Sequence, residues 1–229
     1  MSASLAERLE SVSAGIAGAA RASGRAAEEI TTIVVTKFHP ASLVRELYDL
    51  GVRNVGENRH QEAEAKAAEL HELEGLKWHF IGQLQSNKAK AVRAYASVVH
   101  SVDSGKLART LGGAQSGPEP ILDCFVQLNL TDDPGRGGVQ PAGMEELAEI
   151  IAAEPTLNLL GVMAVAPLDE EPRAAFARVR EASEKLRSII PSARYISAGM
   201  SHDYAEAIAE GATHLRIGSA ITGERPPAG

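Results

Sequence analysis

The residue of this sequence best placed for covalent chemistry is a lysine that follows an apolar run. Lys37 comes after Ile33-Val34-Val35 with one threonine between. An ammonium projecting from the end of a buried strand loses solvation, which favours the neutral, nucleophilic amine. A neutral lysine condenses with an aldehyde to give a Schiff base. The plainer reading is a lysine that ends a strand and reaches water along its own stem. Near the other end of the chain, GMSHDYAEAIAEG sets Ser201 just before a helix starting around Asp203. Unpaired N–H groups and a positive dipole end make such a place an anion site. Without an anion, Ser201 is a turn serine and Asp203 a helix cap.

In LRIGSAITG, Gly218 lets backbone approach a ligand closely, and Ser219 offers a hydroxyl and an N–H. Arg216 lies two residues earlier, so strand alternation turns it to the same side as Gly218. Arginine stays charged and only donates hydrogen bonds. Facing a pyridine nitrogen, it keeps that nitrogen unprotonated and makes the ring a weaker electron sink. Its alternative is a rim arginine paired with Asp or Glu.

The elements that must carry these residues alternate. A leading helix has Leu5, Leu9, Val12 and Ile16 at helical spacing. Then comes the strand run 30–37, followed after Pro40 by a helix with Leu43, Val44, Leu47 and Leu50 on one face, capped at Gly51. Further strands are expected at 54–57, 77–82, 98–102, 121–130, 157–166, 194–200 and 214–217. Helices are expected between them at 59–73, 86–95, 105–111, 144–153, 173–190 and 204–210. Strict alternation implies a parallel sheet with helices outside, and eight such units at 229 residues fit a closed (β/α)8 barrel. A doubly wound open sheet is the alternative. In a barrel, ligands are handled where strands end, and those ends supply Lys37, Glu57, Asn58, Gly82, Gln83, Asp103, Asn129, Met163, Met200, Ser201, Arg216 and Gly218. Ser201 with Gly218-Ser219 then falls on the loops after the last two strands, where barrels often hold phosphate.

Composition narrows the classes. With 44% hydrophobic and 23% charged residues the chain reads as a soluble globular protein. Its net charge of -7 argues against nucleic acid as a partner. The single Cys124 builds neither an internal disulfide nor a cysteine metal site, and no apolar run is long enough to span a membrane. A start of MSASLAERLE has no signal-peptide core, so a cytoplasmic protein is expected. His79 reads as a satisfied barrel histidine, and the seven histidines show no metal-binding spacing. GRGG at 135–138 lacks the GK[ST] of a phosphate loop and reads as a βα loop.

VVTKFHP, VGENRHQE, WHFIGQLQSNK, HSVDS, GVMAVAP and GMSHDYAEAIAEGATHLRIGSAITGER together resemble the YggS/PROSC family, the pyridoxal 5'-phosphate (PLP) homeostasis proteins. The motifs stand in that family's order from residue 34 to 225. The resemblance implies one domain over 1–229: a fold type III, alanine racemase N-terminal-like barrel with an N-terminal helix. It also implies that Lys37 forms the internal aldimine, that Ser201, Gly218 and Ser219 hold the phosphate with backbone at Met200 and Ile217, that Arg216 faces the ring nitrogen, and that Asn58 lies beside the ring. Thr222 stands where the family usually has phenylalanine, His202 where it often has another residue, and Arg136 where lysine is common. The last departure bears on a second PLP-docking site.

The function expected is a PLP carrier: Lys37 binds the aldehyde reversibly, buffers it and delivers it to apo PLP-dependent enzymes as acceptors, without robust catalysis. Racemases of this fold use a second acid/base from a following β domain, and the sequence ends at Gly229, a few residues after the eighth strand. A weak PLP-dependent amino-acid racemase and a cofactor-free Schiff-base aldolase are the alternatives. An open barrel mouth is compatible with a monomer.

Overall fold

Parallel strands need a crossover between neighbours, and a helix of moderate length supplies it. A computed structural model describes residues 3–114 and 121–224. Its strands are β1 Thr31–Val35, β2 Asn54–Glu57, β3 Lys77–Phe80, β4 Val98–Val102, β5 Leu122–Gln127, β6 Leu157–Met163, β7 Tyr195–Ser197 and β8 His214–Ile217. They close in sequence order into a parallel barrel, β8 pairing back to β1. Closure overturns the open-sheet alternative.

The helices are α1 Leu5–Ala22, α2 Ala41–Asp49, α3 His60–Glu69, α4 Ala89–Arg93, α5 Gly105–Gly113, α6 Met144–Ala152, α7 Pro172–Ile189, α8 Tyr204–Ala209 and α9 Ser219–Thr222. A capping box starts α1: the Glu7 N–H donates to Ser4 Oγ at 3.2 Å, and the Ser4 N–H to Glu7 Oε2 at 2.7 Å. This helix packs on α8 and α9, where Arg8 Nε donates to the Ile221 carbonyl at 2.7 Å. On α7 one face buries Ala175, Phe176, Val179 and Leu186, while Leu50, expected on one face of α2 with Leu43, Val44 and Leu47, is exposed. Cys124 is fully buried core. Among the described residues no helix is long and apolar enough to cross a membrane.

Strand ends differ from the sequence expectation in one consistent way. β1, β3, β5, β6 and β7 all stop short of their apolar runs, because ladder pairing ends at the barrel mouth while the chain stays buried beneath the loops. β1 pairs with β8 up to Val34–Ile217 and with β2 up to Val35–Gly56. Thr36 to His39 then forms a turn, the His39 N–H donating to the Thr36 carbonyl at 3.1 Å. Sequence reasoning missed α9, a single turn too short to show a helical period, and it ran α4 too long: 86–88 is a 3-10 turn.

Candidate functional site at the barrel mouth

Register brings the expected residues to one end of adjacent staves. Lys37 follows β1, Asn58 follows β2, and Gly218 follows β8, the two neighbours of β1. A Cβ built on Gly218 would meet only Val35 within 4 Å, at 3.7 Å from its Cβ, so the space in front of this backbone is open to a ligand. Ser219 opens α9, whose first N–H groups have no intrahelical partner. Ser201 reaches the same rim from β7. The Arg216 N–H donates to the Gly199 carbonyl at 3.0 Å, which ties the end of β7 to β8. Gly199 has φ +93°, and a Cβ there would come within 2.7 Å of Ala207 Cβ, so the turn into Met200-Ser201 requires glycine. Asp203 occupies the N-cap position of α8 but gives that helix no side-chain cap. Its Oδ1 accepts the Met200 N–H at 2.6 Å and fixes the turn that presents Ser201. The Met200 N–H is therefore already committed. Ile217 is fully buried in β8 beneath Gly218.

The structure corrects the solvation expected at Lys37. The side chain is exposed, with Nζ 5.8 Å from the centre of the Phe38 ring. The ladder ends at Val35, so the buried position falls to Thr36, and Lys37 stands one residue further out in water. Two other strand-end residues are structural. Asn129 spends its amide on its own loop, donating to the Asp133 carbonyl at 2.8 Å and accepting from the Thr131 N–H at 2.9 Å. Met163 is buried in the barrel interior with Val98 and Phe125. Asn58 behaves differently: its Oδ1 is buried without a hydrogen-bond partner. Beside it a cavity of about 440 Å³ is lined by His60, Gln83, Lys88 and Asp103. Gly82 forms the close approach here, since a Cβ would sit 2.1 Å from the Asn58 carbonyl oxygen. A cavity of about 340 Å³ between Lys77, Arg93 and Asp123 lies at the opposite end of the strands and gathers none of these residues.

Arg216 is an interior residue and not a rim arginine in an ion pair. Its Nη1 donates to the Ser197 carbonyl at 2.8 Å and hydroxyl at 2.7 Å, and Nη2 to the Ala164 carbonyl at 2.9 Å. From Ser197 a polar chain crosses the barrel. Ser197 Oγ is 2.8 Å from His100 Nδ1, His100 Nε2 is 2.9 Å from His79 Nδ1, and His79 Nε2 is 3.0 Å from Asn54 Oδ1. Proton order follows from the two ends, because Arg216 only donates and Asn54 Oδ1 only accepts. Ser197 accepts from the guanidinium and gives its hydroxyl proton to His100 Nδ1, His100 Nε2–H donates to His79, and His79 Nε2–H donates to Asn54. His79 and His100 are both neutral in this arrangement. Burial pulls His79 down to about 3, helped by His214, and pushes His100 well below the usual range, helped by His79 and Arg216. Burial also lowers Arg216 to about 10, still a cation at neutral pH. Sequence reasoning singled out Arg216 and took His79 as satisfied, which it is. It missed Ser197, His100 and Asn54, whose only signal was a polar residue on an otherwise apolar strand face.

Arg216→Met should lower the unfolding free energy by about 1–3 kcal/mol, because the Ala164 carbonyl loses its donor. An unchanged urea midpoint would show that these bonds contribute nothing.

Comparison with known proteins agrees with this architecture. The sequence profile of the family described as alanine racemase, N-terminal domain, matches residues 17–226. The pyridoxal phosphate homeostasis protein of Escherichia coli is 38% identical over 226 residues, covering 96% of this chain and 97% of that protein. The protein of the same name from Mycobacterium tuberculosis is 37% identical over 239 residues, covering 96% of this chain and 93% of its own length. Among solved structures, PipY of Synechococcus elongatus with PLP bound superposes with a TM-score of 0.84 at 36% identity, covering 96% of this chain and 100% of PipY. With its barrel, its motifs and its near full-length relatives, the chain belongs to the pyridoxal phosphate homeostasis proteins of the alanine racemase N-terminal domain family.

Proposed function

We propose that this chain binds PLP as a Schiff base on Lys37 and serves in cytoplasmic PLP homeostasis, buffering the aldehyde or delivering it to apo PLP-dependent enzymes, without robust catalysis. One observation carries the proposal: β1 and β8 are paired strands of one barrel, and they are followed at the same end by the exposed Lys37 and by the open Gly218-Ser219 backbone. The amine condenses with the aldehyde and releases one water. The names of the relatives and the PLP held by PipY support the same reading.

The residues present fit the cofactor. Ser201, Ser219 and the backbone about Gly218, with Met200 and Ile217 behind it, suit a phosphate. Asn58, with its unpartnered oxygen, suits the side of the ring. Arg216, its guanidinium held at Ser197 and Ala164, would meet the ring nitrogen as a donor. When bound, PLP supplies an electron sink for carbanions, and a guanidinium at that nitrogen leaves the sink weak. The homeostasis role named for the relatives favours a carrier over the racemase alternative. We take residues 1–229 to work as one barrel domain and as a monomer, with PLP as the ligand and no nucleic acid or membrane partner.

Titration of the purified chain with PLP, followed by absorbance, tests the function. A yellow, stoichiometric and reversible complex is expected, which gives its cofactor up to an apoenzyme and exchanges no α-proton of added amino acids. A protein that stays colourless would favour the cofactor-free aldolase, and rapid α-proton exchange would favour the racemase. Ser201→Ala should weaken PLP retention by roughly 1.5–3 kcal/mol, the contribution of one charge-assisted hydrogen bond. Unchanged affinity would remove Ser201 from the phosphate site.

A further inference from the structure

Lys66 lies on the face of α3 that also buries Ala63, and only 7% of it is exposed. A buried ammonium is costly unless it is paired and hydrogen-bonded. Its partners are Glu57 Oε1 at 2.6 Å and the Thr36 carbonyl at 2.9 Å. The same Glu57 oxygen accepts the Thr36 hydroxyl at 2.6 Å, while the buried Oε2 has no partner. For stability alone, apolar side chains of similar volume serve as well or better. What such a pair can secure is one backbone conformation, and the backbone it grips is the peptide leading into Lys37.

Each polar atom of Thr36 is engaged. Its N–H donates to the Gly56 carbonyl at 3.0 Å, its carbonyl accepts from Lys66 and from the His39 N–H, and its hydroxyl donates to Glu57. On the other side of Lys37, Phe38 has φ +69°, a left-handed conformation that residues other than glycine rarely adopt. The Phe38 N–H donates to Glu62 Oε2 at 3.1 Å, again from α3. Both neighbours of Lys37 are anchored, and the amine between them is exposed.

We infer that Lys66, with Glu57 and Glu62, is a positioning residue that clamps the backbone on both sides of Lys37 and so aims its amine into the barrel mouth. This rests on the reading of Lys37 as the point of covalent attachment. The test uses the full chain with Lys66→Met combined with Glu57→Gln, which removes both charges and keeps the volume, and separately Glu62→Gln, a half-buried site where misfolding is not a concern. Thermal melting confirms that each variant is folded. Hydrogen exchange of the amides at 36–39, measured without any cofactor, should quicken in the double variant. The rate of borohydride-trapped adduct formation with PLP should fall by roughly tenfold to a hundredfold in the double variant, and less in Glu62→Gln, the cost of a reacting group held slightly out of place. Unchanged exchange at 36–39 overturns the clamp whatever PLP does. Quicker exchange with an unchanged adduct rate overturns its positioning role. A wild type that forms no adduct at all sinks the carrier reading instead, and with it the purpose of the clamp.

Discussion

Acidification from pH 6.5 towards 4 should destabilise this barrel through its buried histidines. Burial holds the His214 imidazole at about 4, with Arg216 and Lys77 adding to the effect, and His79 at about 3. These histidines are neutral in the folded barrel and titrate near 6.5 once unfolded, so below that value the unfolded chain binds the extra protons. Stability therefore rises with pH through this window: it is intact above about 6.5 and is lost progressively as pH falls towards the folded values. His214 alone accounts for about 3 kcal/mol of that loss. His79 and His100 share a proton-donating contact, so their losses do not simply add. Set against a typical stability of about 5–15 kcal/mol, that single contribution of His214 is a large fraction.

Two groups of carboxylates act differently. Burial raises Glu57, which opposes the histidines because its folded form takes up a proton more readily. Glu210, held down by Arg180 and Arg173 against its own desolvation, is lowered and adds acid lability only below about 4.5. Urea midpoints across the pH range check the sign. The slope between pH 6.5 and 4 should shrink in His214→Phe, an aromatic replacement among the Phe125 and Tyr195 rings that His214 already meets edge-on. A stability profile flat over this range would contradict the neutral polar chain.

How much of this the sequence disclosed depends on how locally each feature is encoded. The eight staves were legible because parallel strands buried on both faces read as short β-branched runs, and Ile33-Val34-Val35 is one of them. Their ends were not, because Thr36 remains buried after pairing has stopped and nothing in its identity marks the change. The placement of Ser201, Gly218 and Ser219 just past the ends of β7 and β8 was legible through strand-to-helix position. The polar chain was not, because it joins His100 to Ser197 across 97 positions, and alternation tells which face a residue takes but not which stave it meets. Lys66 carried a readable signal that went unused: a lysine on the apolar stripe of α3, between Ala63 and Leu70, must be paired. The role of Asp203 inverted for a local reason, since a carboxylate at an N-cap can turn back to a preceding N–H as easily as forward into the helix.

The largest effect expected of any single substitution is at Lys37, because on the proposed function it removes a covalent bond and not one contact among many. Lys37→Ala should still fold, since the side chain is exposed and its backbone is held by Thr36 and Phe38. Phosphate contacts alone should leave it weak, non-covalent affinity for PLP. The most direct measurement is to load wild type and Lys37→Ala with PLP, reduce both with borohydride, and map the modified peptide by mass spectrometry. The carrier account predicts one stoichiometric pyridoxyl adduct on Lys37 in the wild type and none in the variant. An adduct on another lysine, or one that persists at full yield in Lys37→Ala, would contradict it.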